Sequence, residues 1–152
     1  MRGIDRLLWS IALPGFGQYL NNQYIKGTVL LLLEFVINVK SHLNLIIISS
    51  FTGRIDTAIA QTDYEWLMFY PCLYMYAIWD AYHHAVKSPL ATAVPFALAA
   101  YLATVGIIFS SSLRIGGVLL GPVWLPMLCC FLGLGVGYAG IGRFNRARQT
   151  GD

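Results

Sequence analysis

The chain has 152 residues, of which 57% are hydrophobic and 11% charged, with a formal net charge of +3. So much apolar side chain exceeds what one soluble core of this size can hide, which excludes an ordinary water-soluble domain and makes lipid the expected solvent. The small net charge excludes nucleic-acid binding as the main role, and four spans of about 20 residues leave no room for a soluble catalytic domain. The expected fold is all-α: a single integral membrane domain over residues 1–152 with four transmembrane helices, an N-terminal interfacial helix and one short re-entrant or interfacial segment.

Residues 3–13 are too short to span and carry charge at one end, so they are expected to form a helix lying at or dipping into the membrane interface. Arg2 and Arg6 before an apolar run superficially suggest a signal peptide. Asp5 within the basic region and the lack of a small-x-small site before Asn21 argue instead for an N-terminus kept in the mature protein. Pro14-Gly15-Phe16-Gly17 breaks this helix, and a second begins near Gln18.

The first span is placed at 19–40, because extending it further would put Lys40, His42 and Asn44 in hydrocarbon. Leu43 to Phe51 is too short to cross alone and is expected to lie on or re-enter the far face. Residues 52–64 read as an exposed loop. The second span, 65–82, opens with Trp66 and closes with Trp79 and Tyr82, amphipathic rings that favour the interface. His83 to Pro89 follow as a loop.

The third span, 91–110, is alanine-rich, and Pro95 falls in its tolerated first turns. Ser110 to Arg114 form a turn, and the fourth span, 115–141, contains Pro122 and Pro126. Arg2, Arg6, Lys26, Lys87, Arg143, Arg146 and Arg148 then share one side, against Lys40, Arg54 and Arg114 on the other. The positive-inside bias puts both termini in the cytoplasm of a multi-pass cell-membrane protein.

Two stretches stand out as motifs. Leu13-Pro14-Gly15-Phe16-Gly17-Gln18-Tyr19-Leu20-Asn21-Asn22-Gln23-Tyr24-Ile25-Lys26-Gly27 precedes an apolar run, and Ile78-Trp79-Asp80-Ala81-Tyr82-His83-His84-Ala85 closes the second span. Over about residues 10–86 the chain resembles the two-transmembrane-domain family of small membrane proteins and related bacterial proteins of unknown function. It differs in its long connection, 40–64, and in the third and fourth spans. The resemblance implies a hairpin whose motif residues Pro14, Gly15, Gly17, Gln18, Lys26, Gly27 and Asp80 meet on the cytoplasmic face. Asp80 could pair with Lys26 or accept hydrogen bonds from the turn at Gly15 to Gln18; a ligand or partner contact is the alternative.

Glu34, Asn38 and His42 fall at i, i+4 and i+8, one face of a continuous helix. An ionisable residue at membrane depth needs a reason, so the three form either a cation or proton path or a polar seam bonded to another span. Gly133 and Gly137 are spaced Gly-x-x-x-Gly and continue to Gly140, a smooth face allowing close approach of another span or a second copy. Gly135-Val136-Gly137-Tyr138-Ala139-Gly140 fits the dinucleotide-binding spacing by letter, but no strand or βαβ unit surrounds it. His83-His84 reads as an interfacial pair, and Cys72, Cys129 and Cys130 as small apolar residues.

No nucleophile with a base, phosphate loop or paired carboxylates is apparent, so no catalytic residue, metal or cofactor is expected. The expected function is that of a non-enzymatic accessory or scaffold protein of the bacterial cell membrane. The alternative is a small transporter or channel subunit for an ion or small solute, with Glu34 in the pathway. Expected partners are the lipid bilayer and a homo-oligomer or larger membrane complex docked through the fourth span, with no nucleic acid.

Overall fold

A computed structural model describes residues 2–149, with side chains described over 3–143, so Arg2, Arg146 and Arg148 of the basic count lie outside the described side chains. The chain is helical nearly throughout. Helix α1 spans Arg2–Ala12, with Asp5 in its first turn, where a carboxylate complements the helix dipole. Its stripe of Gly3, Leu7 and Ser10 faces inward, while Ile4, Leu8 and Trp9 are exposed on the opposite side. Helix α1 lies antiparallel along helix α7, Tyr70–Val86. Gly3 sits against Val86 and Tyr82, and the Tyr74 hydroxyl donates to the Ile11 carbonyl at 2.6 Å.

The chain reverses at Pro14-Gly15, where Gly15 takes φ 101°, a left-handed conformation that glycine adopts without steric penalty. A five-residue helix, α2 (Phe16–Leu20), returns and ends in a turn through Asn22 at φ 60°. The expected continuous span 19–40 therefore begins later, as α3, Tyr24–Ser41. Asparagine tolerates this left-handed conformation, and the Gln23 N–H donates back to the Gln18 carbonyl at 2.9 Å, closing the turn.

Helix α3 stops at His42, itself at φ 60°, and α4 (Leu43–Phe51) leaves at 62° to it. The expected loop 52–64 contains a helix, α5 (Ile55–Gln61), whose Ala58 is fully buried, and α6 (Tyr64–Leu67) follows. The expected span 65–82 is divided at Met68-Phe69 and runs on to Val86. Pro71 explains the division, since a residue without an N–H is tolerated in the first turn of a helix and not in its interior. Lys87 ends α7 in the left-handed region ahead of Pro89, which places His83 and His84 on the helix and not in a loop.

A single 3-10 turn, Leu90–Thr92, leads into α8, Ala93–Phe109, as expected for the third span. The connection beyond Ser110 is more than a turn: β1 (Arg114–Ile115) and β2 (Val118–Leu119) form a small antiparallel ribbon about Gly116-Gly117. Helix α9 therefore begins at Gly121, not near Ile115, and runs to Gln149 with Pro126 inside it.

Helices α8 and α9 form an antiparallel hairpin, with Gly106 opposite Pro126, Ala99 opposite Gly133 and Pro95 opposite Gly137. One core cluster (Met75, Ile78, Phe96, Ala99, Ala100) joins α7 to this hairpin beside Leu7 of α1. A second (Leu43, Ile46, Ala58, Leu67, Ile107) gathers α4, α5 and α6 near the other end of α8. Trp124 fastens that end, donating to the Ser50 carbonyl at 3.3 Å and packing its ring against Phe51.

Leu90–Phe109 and Gly121–Arg143 are long and apolar enough to cross a membrane, and α3 with α4 makes a third such segment if the bent pair is one span. Helix α7, with 17 residues, is shorter. The outer surface is itself apolar: Ile25 is 84% exposed, Phe35 65% and Phe131 60%. Apolar side chains this exposed over several helices need a non-aqueous neighbour.

Candidate functional site

The described residues carry their densest polar network where α1, α2, α3 and α7 meet. Gly17 makes the approach possible: a Cβ there would collide with Ser10, with the Ala81 Cβ at 2.6 Å and with the Arg6 carbonyl at 2.6 Å. Ala77 and Ala81, one turn apart on α7 and both fully buried, present an equally smooth face. Small residues on both sides let α2 sit directly on α7.

That proximity carries Gln18, which is fully buried, to the α7 backbone. Its amide nitrogen donates to the Ala77 carbonyl at 2.9 Å and to Asp80 Oδ2 at 3.0 Å. The Lys26 ammonium, arriving from the first turn of α3, lies 3.0 Å from Asp80 Oδ1, and His84 Nδ1 lies 3.3 Å from the same oxygen. Asn21 completes the knot by donating to the Ala81 carbonyl at 2.8 Å. Both Asp80 oxygens are thus held, as a buried carboxylate requires.

Gly15 and Gly27 hold the base of the knot together. The Gly15 carbonyl lies 2.9 Å from where a Gly27 Cβ would stand, and a Gly15 Cβ would lie 2.6 Å from the Gly27 carbonyl. Pro14 is buried beside them. Of the seven motif residues, Gly17, Gln18, Lys26 and Asp80 therefore meet against α7, while Gly15 and Gly27 pack on each other between α2 and α3 and Pro14 is buried at the turn. Asn21 and Ser10 were not singled out by sequence reasoning; the Gly3, Leu7, Ser10, Pro14 spacing, one face of a helix, was the available signal.

The seam Glu34, Asn38 and His42 does not persist as one face, because the helix ends at Ser41. His42 turns away, its Nδ1 lying 3.0 Å from the Gln61 carbonyl, and Asn38 donates to Asn44 at 3.4 Å. Glu34 and Asn38 still share a face of α3, and Glu34 is half-buried near Tyr70 and Tyr74 of α7. Glu34 makes no hydrogen bond among the described residues.

Gly133 and Gly137 are filled from within the chain. A Cβ at Gly133 would lie 2.6 Å from Ala99 Cα, and one at Gly137 would strike Pro95. Their face is the α8–α9 contact and is closed to a second copy. Gly140 is exposed, with nothing near its Cβ position. Among the described residues no group of three or more His, Cys, Asp or Glu side chains could hold a metal ion.

The chain matches no protein-family model, no curated protein and no solved structure.

Proposed function

We propose that this protein is a non-enzymatic accessory or scaffold protein of the cell membrane. The observation that carries the reading is the use to which its inward polar groups are put: Gln18, Asn21, Lys26 and Asp80 tie α2, α3 and α7 to one another, and Arg6 of α1 donates to the Leu20 carbonyl at 3.1 Å. A buried network in which both carboxylate oxygens of Asp80 are held between helices fixes how those helices sit on one another. In this reading α3 with α4, α6 with α7, α8 and α9 make four crossings, and both termini lie on the cytoplasmic side with the basic residues. The α1–α2 hairpin then re-enters from that side. Ile11 contacts Tyr74, 12 residues from the end of α7, so the hairpin reaches about 18 Å along it. The similarity of its motifs to the two-transmembrane-domain family agrees with this arrangement.

The test is affinity purification from native membranes in mild detergent, with Gly140→Leu as the comparison, since that glycine is exposed. A stoichiometric partner lost in Gly140→Leu supports a scaffold docking through α9. Recovery of the protein with no stoichiometric partner in either form overturns it.

A second reading, a small transporter or channel subunit, is favoured by Glu34 alone. A half-buried carboxyl on α3, with no hydrogen bond among the described residues, is the kind of group that ion and proton pathways use. Flux through reconstituted vesicles, and its loss in Glu34→Gln, tests it.

A further inference from the structure

Beside the polar knot, an open groove of about 810 Å³ runs between α3 and α7. Val29, Leu30 and Leu33 form one wall, Leu73 and Tyr76 the other, and Lys26 stands at its end with Asn22 and Gln23. We propose that this groove binds an anionic phospholipid, with an acyl chain along the apolar walls and the headgroup phosphate on the Lys26 ammonium.

The unequal exposure of the ion pair carries the argument. Asp80 is 3% exposed and Lys26 35%, so the carboxylate is enclosed while the ammonium opens toward the groove. An ammonium has three N–H donors, and Asp80 Oδ1 takes one. The carboxylate's own oxygens are occupied by Gln18 and Lys26, so the charged group the groove presents at this end is the ammonium, beside the amides of Asn22 and Gln23. A phosphate diester satisfies both, whereas a quaternary ammonium at the same place would meet the lysine charge. Below Lys26 the lining is aliphatic but for Tyr76 as far as Leu33, about 10 Å of helix. A cation at one end and a hydrocarbon trough from there on fit an amphiphile entering sideways from the bilayer.

The inference rests on α3 and α7 lying in a membrane, as proposed above. Recovery of the protein in the soluble fraction would remove both readings; the lipid experiment bears on this one alone.

The experiment is native mass spectrometry of the purified, delipidated protein titrated with phosphatidylglycerol or phosphatidylcholine of identical chains. The expected result is a one-to-one phosphatidylglycerol adduct formed about tenfold more readily than the phosphatidylcholine adduct, as for one charge-assisted contact. Glycerol phosphate without acyl chains should not bind, and binding by it would show a free-phosphate site and overturn the lipid assignment. Leu33→Trp fills the groove without touching the ion pair and should abolish the adduct at unchanged melting temperature. Ile48→Trp, on exposed α4 surface, should retain it. Lys26→Gln, if it folds, should remove the preference for phosphatidylglycerol. Equal uptake of the two lipids, or an undiminished adduct in Leu33→Trp, overturns the proposal.

Discussion

The α8–α9 hairpin and the α1–α2–α7 knot solve one problem in opposite ways. Both press helices close together, yet α8 and α9 meet through Gly106, Gly133, Gly137 and the faces of Pro95, Ala99 and Pro126, with hardly a polar group between them. The knot uses Gly17 against Ala81 for the same closeness and then fills the contact with Gln18, Asp80 and Lys26. Where surrounding solvent is apolar, burial of hydrocarbon favours association only weakly, so either contact area or hydrogen bonding must hold helices together. The first device should fail when a side chain is added, the second when a partner is removed.

Gly137→Leu should give the largest effect. Its Cβ position already collides with the Pro95 backbone, which cannot yield as a side chain would, so a loss beyond about 3 kcal/mol is expected. Thermal unfolding in detergent, with Gly140→Leu alongside, checks this. A Gly137→Leu protein that melts with the wild type would show that α8 and α9 are not packed in this register. The same result bears on assembly, because a partner lost in Gly137→Leu would reflect a damaged fold and not a docking face.

Asp80→Ala should come next, at about 2–4 kcal/mol, because it takes from the buried Gln18 amide one of its two acceptors and leaves Lys26 without its counter-charge. The partial exposure of Lys26 keeps the loss below that of a fully enclosed pair. Removing both charges, Asp80→Ala with Lys26→Met, should recover part of the loss, since an absent ion needs no partner. Denaturant unfolding in micelles measures the cycle; a double variant less stable than Asp80→Ala alone would contradict the pairing. Gly15→Ala should follow at about 1–3 kcal/mol, from a left-handed φ of 101° and a Cβ aimed at the Gly27 carbonyl. An unchanged melting curve there would mean that the α1–α2 reversal differs from the one described.

The two regions also differed in how far they could be read from the chain. Gly-x-x-x-Gly spacing at Gly133 and Gly137 announces a close helix contact, and the structure supplies the partner that spacing cannot name, the Pro95 and Ala99 face of α8. The motif residues around Gly15 and Asp80 stand out as a set through the family resemblance, and the pairing of Asp80 with Lys26 or the Gly15 to Gln18 turn through a carboxylate's need of a partner beside an apolar run. The reversal that makes α1 pack on α7 was not legible, since Pro14-Gly15 marks a break without giving its direction. Boundaries failed where one residue outweighed the apolar pattern: Pro71 divided the second span, and Asn22 and His42, both left-handed, shortened the first. Pro71 was readable and was passed over. A left-handed asparagine or histidine depends on the contacts around it, such as His42 with Gln61, and these lie far away in sequence.

Glu34→Gln should have the smallest effect on stability, and it sharpens the contrast further. Gln18, Asn21, Lys26 and Asp80 of the knot each have a partner whose loss costs stability, whereas Glu34 has only the neighbourhood of Tyr70 and Tyr74. An isosteric amide there keeps the shape and removes only the charge, so a change within about 0.5 kcal/mol is expected, as for substitutions that break no specific contact. A loss comparable to that of Asp80→Ala would reveal Glu34 as a second structural knot. Unchanged stability together with abolished proton or ion flux in vesicles would make Glu34 a functional group and favour the transporter reading over the scaffold. If stability and flux are both unchanged, α3 needs Glu34 neither for its packing nor for a pathway, and the polar chemistry of this protein is concentrated at Asp80.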